Sequence, residues 1–219
     1  MNLLNKKQLK CSINICCNYY IKTFLTSTIY PPDEDTFLFT EILNKNKHLI
    51  GNKVLELGSG SGFTGILLSK IGFKVDFSDI NQDSIDCLKL NLKENNIDSE
   101  IIQSDLFSNI KKKYNTIIFN PPYLPKEELF DYNGKDVNGG KQGVEVILKT
   151  LKNANEFLED NGNLLFIISN LANIKLLEKK MEINNYNFEI IEKKNVGLYS
   201  FFNIYNIKYN IYNKNYDKN

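Results

Sequence analysis

The chain predicts an α/β fold built on a mostly parallel sheet with an antiparallel hairpin at its C-terminal end. Three observations carry this. Apolar runs of strand length alternate with segments whose apolar residues recur at helical spacing. The first central run, "KVLEL", opens directly into a glycine loop and a helix. After the last helix the pattern becomes "YNFEIIEKKNVGLYSFFNIYNIKY", two stretches of strand composition broken near Asn195 to Gly197.

The elements follow in order. Pro31 and Pro32 block any earlier helix; Asp33 can cap the next one, and Glu34 and Asp35 fall in a first turn where the helix dipole favours acids. Leu38, Phe39, Ile42 and Leu43 give that helix its apolar face. Lys53 to Leu57 reads as a strand, followed by "GSGSG" and the helix "FTGILLSKIG", closed by Gly72. "KVDFSDI" is a second strand. "NQDSIDCLKLNLKENN" is a helix with Ile85, Leu88 and Leu92 on one side. "EIIQSD" is a short third strand and "YNTIIFN" a fourth. After a long polar loop, Val144, Ile147, Leu148, Leu151, Ala154 and Leu158 recur at helical spacing. "NLLFIIS" is a fifth strand, and a helix spans Ile174 to Met181.

Composition bounds the function classes. The 219 residues suit one domain of residues 30–212, with an N-terminal extension over 1–29, poorly ordered or loosely packed, and a polar tail over 213–219. A net charge of +1 advertises neither a nucleic-acid field nor a cationic partner. Every basic residue is lysine, so no guanidinium fork is available for phosphate. Cys11, Cys16, Cys17 and Cys87 form no C-x-x-C pair, and the one histidine, His48, is remote; no metal site is expected and the thiols are expected reduced. No apolar run has membrane-spanning length. The expected compartment is the cytoplasm. The acid-free, lysine-bearing first thirty residues keep organelle targeting as the alternative.

Ligands of such sheets bind at the carboxyl ends of the strands. There the sequence sets the glycine loop, Asp79, Asp105 and "NPPY". Gly60, Gly62 and Gly65 have G-x-G-x-x-G spacing, which lets a ligand approach bare backbone. A dinucleotide would use the helix start for pyrophosphate and Asp79 for ribose. S-adenosylmethionine (SAM) would offer an amino group, a sulfonium and a ribose to the same acids, and a charged Glu56 would repel pyrophosphate. Asp79 could accept both ribose hydroxyls or simply cap the next helix. Asp105 could accept from the adenine amino group, with Leu106 and Phe107 sandwiching the base, or be a turn aspartate.

Asn120-Pro121-Pro122-Tyr123 poses the sharper question, why a buried strand should end on an amide, two rigid prolines and a ring. An amide or aromatic amine has a delocalised lone pair. To methylate it, a site must hold the NH2 group with two acceptors so that the lone pair is aimed. The Asn120 side-chain oxygen and the Pro121 carbonyl can be those acceptors, and proline fixes its own φ. Tyr123 can stack on the planar group. Orientation of this kind contributes up to about 7–11 kcal/mol, against about 1 kcal/mol for a single hydrogen bond. No general base is required.

"PPDEDTFLF", "LELGSGSG", "FSDIN", "QSDLF", "FNPPY" and "GGKQGVEVI" together resemble the HemK-like class I methyltransferases, nearest the eukaryotic and archaeal release-factor glutamine methyltransferase branch, over Tyr30 to Tyr209. The resemblance implies a seven-stranded Rossmann-like sheet with helices on both faces. It implies methylation of the glutamine amide in the Gly-Gly-Gln loop of a peptide chain release factor. SAM would be held by Thr36, Glu56, Gly58, Ser59, Gly60, Gly62, Asp79, Asp105 and Leu106, with Asn120 adjoining, and the acceptor by Asn120 to Tyr123. It also implies a small zinc-binding activator subunit on the edge strand "SEIIQ". The branch's reach to histone lysine leaves lysine open as a substrate, and an extruded adenine would suit the same clamp. A scaffold subunit without catalysis is the alternative of another class. This chain departs from the pattern in its long start and in the loop near Gly139 to Gly143, which lacks the expected tryptophan and has Lys141 in place of arginine.

Overall fold

The computed structural model describes residues 9–126, 137–196 and 200–208. The chain divides into two compact units, Met1–Ile110 and Lys111–Asn219.

The first unit opens with β1 (Lys10–Cys16) and β2 (Tyr19–Leu25), an antiparallel two-stranded sheet. Next come α1 (Glu34–Lys45), β3 (Lys53–Leu57), α2 (Phe63–Lys70), β4 (Lys74–Asp79), α3 (Gln82–Glu94) and β5 (Ile101–Gln103). Strands β3, β4 and β5 pair in parallel, with Val54 opposite Val75 and Asp79 opposite Gln103. Asp33 caps α1, accepting from Glu34 N at 2.8 Å. Phe39, Ile42 and Leu43 supply its buried face, while Ile85, Leu88 and Leu92 supply that of α3. Gly72 (φ 106°) stands just past the end of α2, where only glycine turns freely into the left-handed region.

Residues 10–25 are the main departure from the sequence reading, which expected a loose extension there. They form a hairpin bonded to α3. Asn91 Oδ1 accepts from Phe24 N at 2.6 Å, and Asn91 Nδ2 donates to Phe24 O at 3.2 Å and to Ser61 O at 2.9 Å. Asn95 Nδ2 donates to Lys22 O at 2.7 Å. Ile21, Thr23 and Leu25 face inward, and Leu25 packs with Ile29 and Cys87. Asn91 in the last turn of α3 and Asn95 at its C-cap act as backbone mimics for a neighbouring strand. Residues 1–8 and the tail over 213–219 lie outside the described residues.

Asn91 thus joins the hairpin, α3 and the glycine loop through three hydrogen bonds at a site with no solvent exposure. Asn91→Ala leaves Phe24 N, Phe24 O and Ser61 O to find other partners, so we expect unfolding free energy to fall by about 3 kcal/mol in denaturant titration.

The second unit contains β6 (Tyr114–Phe119), β7 (Leu124–Pro125), β8 (Asn138–Gly140), α4 (Glu145–Ala154), β9 (Leu158–Ser169), α5 (Ile174–Ile183), β10 (Asn187–Val196) and β11 (Ser200–Lys208). Strand β6 runs parallel to β9; β11 is antiparallel to both β9 and β10. The C-terminal hairpin is therefore as expected, its turn lying outside the described residues. The helix expected to run to Leu158 stops at Ala154, and after a 3-10 turn over Asn155–Phe157 the residue Leu158 already belongs to β9. Its core position is kept, but as a strand residue. Ile117, Ile118, Phe119 and Leu164 to Ile168 are fully or almost fully buried, the continuous apolar runs of strands covered on both faces. A polar file crosses this core: Thr116 donates to Asn163 at 2.7 Å, Asn163 to Asn206 at 2.9 Å, and Asn206 to Glu189 at 2.7 Å. Each polar atom in the file has a partner, which is how buried amides are tolerated.

Seven strands form one mixed sheet, flanked by helices and mostly parallel apart from its C-terminal strands. No helix among the described residues is long and apolar enough to cross a membrane.

Candidate active site

In the first unit the carboxyl ends of β3, β4 and β5 gather most of the residues singled out in the sequence. Gly58, Gly60 and Gly62 all have positive φ (59°, 52° and 77°), so the turn after β3 uses a conformation that a side chain resists. Gly60 N donates to Asp79 Oδ2 at 2.7 Å, and Ser59 N donates to Ser78 O at 2.9 Å, locking the loop to the end of β4. Ser59 Oγ donates to Glu56 O at 2.8 Å. A Cβ built on Gly60 meets nothing within 4 Å, so that face of the loop is open, whereas one on Gly62 would come within 2.5 Å of Leu88.

Asp79 is not the cap of α3. That role belongs to Asn81, whose side chain accepts from Asp83 N at 2.9 Å. Asp79 Oδ1 instead accepts from Asn81 N at 2.8 Å, fixing the carboxylate between the loop and the helix start. Burial pushes the Asp79 carboxyl above its ordinary pKa, against hydrogen bonds from Asn81, Gly60, Ile80 and Ser84 that lower it.

Glu56 is more deeply held. It is 7% exposed, Gly65 N–H donates to its carboxyl at the start of α2, and Oε2 is buried without a hydrogen-bond partner. Burial raises its pKa to about 8, the bond from Gly65 opposing and the negative charge of Asp79 adding to the rise. In the ligand-free chain near neutral pH this carboxyl is therefore largely protonated. The charge repulsion argued from the sequence against a pyrophosphate weakens accordingly, since a neutral acid repels no phosphate.

Asp105 is exposed and lies just past β5, where Ser104 N donates to Asp79 O at 2.9 Å. Leu106 is half-buried with φ 48°, an uncommon setting for leucine, and Ser104 Oγ donates to its carbonyl at 2.8 Å. Phe107, expected to sandwich a base with Leu106, is 6% exposed and belongs to the core. Thr36 lies in the first turn of α1; its carbonyl accepts from Thr40 Oγ1 at 2.6 Å, and Thr40 in turn bonds Thr64 on α2 at 2.8 Å. Asp35, read from the sequence only as a dipole-matched acid, is 4% exposed and accepts from Thr36 N at 2.7 Å. Nothing in the spacing distinguishes it from Glu34; the packing of α1 does. His48 is exposed in a 3-10 turn, in keeping with a non-catalytic position.

In the second unit Asn120 follows β6 directly, and its Oδ1 is shielded from solvent. Pro121 is buried; Pro122 and Tyr123 are half-buried. Tyr123 meets Phe202 edge to face, centroids 5.9 Å apart. The segment is braced from behind by the loop whose sequence looked least regular. Leu124 pairs with Asn138 and Pro125 with Gly140. A Cβ on Gly139 would come within 2.7 Å of Pro122 O and of Tyr123 Cα, and one on Gly143 (φ 73°) would run into the Tyr123 carbonyl. Glu145 Oε1 accepts from Gln142 N at 3.0 Å and Oε2 from Val144 N at 3.1 Å; Gln142 O accepts from Asn173 N at 2.9 Å. These glycines hold the two-proline segment by close backbone contact, where tryptophan or arginine was expected to contribute. Residues 127–136 lie outside the described residues.

A model of the methyltransferase small domain matches residues 30–196. The chain belongs to that family. It is a SAM-dependent methyltransferase. A Methanocaldococcus jannaschii protein, provisionally named a protein N5-glutamine methyltransferase, is 34% identical over 175 residues, 78% of this chain and 87% of that protein. A release factor glutamine methyltransferase of Borreliella burgdorferi is 39% identical over 136 residues, 58% of this chain and 47% of its own length. Among solved structures, the E. cuniculi Mtq2–Trm112 complex, responsible for methylation of the eRF1 translation termination factor, superposes with a TM-score of 0.64 at 22% identity, covering 83% of this chain and 98% of that one.

The residues at β3–β5 fit SAM. Glu56 Oε2 is a buried polar atom without a hydrogen-bond partner, Asp79 holds its carboxyl at the edge of the glycine loop, and Gly60 leaves room beside its Cα. The brace yields a direct test in this methyltransferase. Gly139→Ala should lower kcat by about 10–100-fold through misplacement of the Pro122–Tyr123 backbone, while calorimetry finds SAM affinity unchanged.

Proposed function

We propose that this enzyme methylates the side-chain amide nitrogen of the glutamine in the Gly-Gly-Gln loop of a peptide chain release factor. The observation that carries the reading is the rigid Asn120–Tyr123 segment at the end of β6, its backbone wedged against Gly139. Bound SAM supplies an electrophilic methyl group on a sulfonium. Asn120 Oδ1 accepts one amide N–H of the substrate and the Pro121 carbonyl the other; Tyr123 lies on the amide plane. With both hydrogens held, the nitrogen lone pair points out of the clamp. The proton leaves the nitrogen after transfer, so no side chain has to act as base. Asp79 receives the ribose hydroxyls, Glu56 turns an acceptor towards the cofactor's donors, and Gly58, Ser59, Gly60 and Gly62 give bare backbone beside it. Thr36, Asp105 and Leu106 complete the pocket, Asp105 accepting from the adenine amino group.

The same reading includes a partner. Among the described residues β5 pairs only with β4 and ends the sheet, leaving an edge able to add a strand. A small activator subunit, holding zinc of its own, would pair there.

The test is incubation of the enzyme, alone and with candidate activators, with SAM and a release factor, followed by mass spectrometry of the Gly-Gly-Gln peptide. Parallel reactions offer adenine-containing oligonucleotides and histone peptides. Methyl on the glutamine carries the proposal; methyl on adenine or lysine with glutamine unmodified overturns it.

A further inference from the structure

The turn of the N-terminal hairpin places two thiols side by side. Cys16 pairs with Tyr19, and the two residues between them, Cys17 (φ 51°) and Asn18 (φ 69°), are both left-handed, the signature of a type I′ turn. In a flat strand consecutive side chains point to opposite faces. The positive φ at Cys17 cancels that alternation, and the Sγ atoms of Cys16 and Cys17 lie 3.5 Å apart. Both residues are half-buried, so a small reagent can reach them. Cys11, five positions before Cys16 on β1, falls on the opposite face, and Cys87 is fully buried.

We propose that Cys16 and Cys17 form a bidentate dithiol site for monosubstituted trivalent arsenicals and similarly soft, three-coordinate thiophilic centres. Geometry selects this class. Adjacent residues joined by a trans peptide have Cα atoms about 3.8 Å apart, below the roughly 4.4–6.8 Å usual for disulfides, so direct S–S closure is disfavoured. A bridging atom needs no such closure. With bonds of about 2.3 Å to each sulfur, two sulfurs 3.5 Å apart subtend about 100°. That angle suits a pyramidal centre with a lone pair, and it is far from the straight line of two-coordinate Cu(I). A tetrahedral zinc would need two more ligands, and among the described residues no cluster of three or more His, Cys, Asp or Glu side chains is formed that could hold a metal.

The reaction balances without an oxidant. An arsenoxide, R–As=O, and the two S–H groups give R–As(S)2 and water: two As–S bonds form, the As–O bonds break, and both thiol protons leave on the oxygen. Arsenic stays trivalent. Burial first, then the hydrogen bond and charge of Cys17 and the charge of Glu41, push the Cys16 thiol up to about 12. A reagent whose own oxygen carries off the displaced protons suits a Cys16 thiol that retains its own.

Phenylarsine oxide is the probe, with intact-protein mass as the readout. The full chain is expected to gain one phenylarsenic adduct that survives excess 2-mercaptoethanol and is removed by 2,3-dimercaptopropanol. The C11S/C87S double variant, which keeps only the proposed pair, should behave identically. C16S and C17S, checked for folding by thermal melting and SAM calorimetry, should each yield only adducts that the monothiol strips. Loss of the wild-type or C11S/C87S adduct to 2-mercaptoethanol overturns the proposal, as does a monothiol-resistant adduct on C16S or C17S.

Discussion

Asn120→Ala abolishes methyl transfer while SAM still binds: kcat/KM is expected to fall about a thousand-fold, the scale of losing one preorganised polar group aimed at a reacting centre, with SAM affinity changed little. The expectation follows from where Asn120 stands. It is the first residue after β6, a strand whose Ile117, Ile118 and Phe119 are almost fully buried, so its Cα is fixed by the core. It is followed by two prolines whose φ angles are locked, the second of which, Pro122, has its carbonyl close against Gly139. Truncation to alanine leaves that backbone as it was and removes one of the two acceptors proposed for the substrate amide. An amide held by one hydrogen bond can rotate, and the lone pair loses its aim; the loss is in orientation, which is worth far more than the bond itself. Asn120→Asp is a sharper control. It keeps an acceptor oxygen of the same reach, puts a second oxygen where the amide nitrogen was and introduces charge, and we expect activity above that of the alanine variant. Equal activity of Asn120→Ala and wild type in a single-turnover assay with release factor would remove the clamp from the mechanism.

How far this was legible in the sequence depended on the kind of interaction. Strand runs such as "KVLEL" and "YNTIIF" are specified by burial, which is written in residue type, and they appear where the alternation puts them. The positive-φ glycines of the loop are equally visible, because a backbone demand selects glycine over every other residue. The N-terminal hairpin was not legible. Its strand β1 turns Ser12 and Asn14 inward and leaves Ile13 and Ile15 largely exposed, the reverse of the usual pattern, and its attachment rests on side-chain amides of α3 sixty-seven to seventy-three positions away. Likewise Gly139 and Gly143 read as a polar loop short of its expected tryptophan. Only the close approach of Pro122 and Tyr123 explains why side chains are excluded there. The ionisation of Glu56 was misjudged for a related reason: sequence places an acid beside the glycines, but its charge state depends on how much water the fold leaves around it.

That charge state makes the stability of the ligand-free enzyme depend on pH. The folded-state pKa of Glu56 is raised from 4.5 to about 8, so between those values the folded chain binds a proton that the unfolded chain has released. Stability from this group is fully present below about pH 4.5, declines as pH rises through the window, and is gone above about pH 8; the difference is on the order of 5 kcal/mol. Asp79, raised in the same direction by burial, adds to the decline. Glu56→Gln keeps an acceptor for Gly65 N–H and cannot ionise. Denaturant titrations from pH 5 to pH 8 are therefore expected to show a steep loss of stability in the ligand-free wild type and a much shallower one in Glu56→Gln. SAM should flatten the wild-type curve as well, because a cationic amino group beside Glu56 favours the ionised acid and returns its pKa towards the ordinary range. The same variant should bind SAM more weakly above pH 8, where the wild type offers a full negative charge and glutamine offers none. Parallel wild-type and Glu56→Gln stability curves across this pH range would mean that the buried acid is not the titrating group.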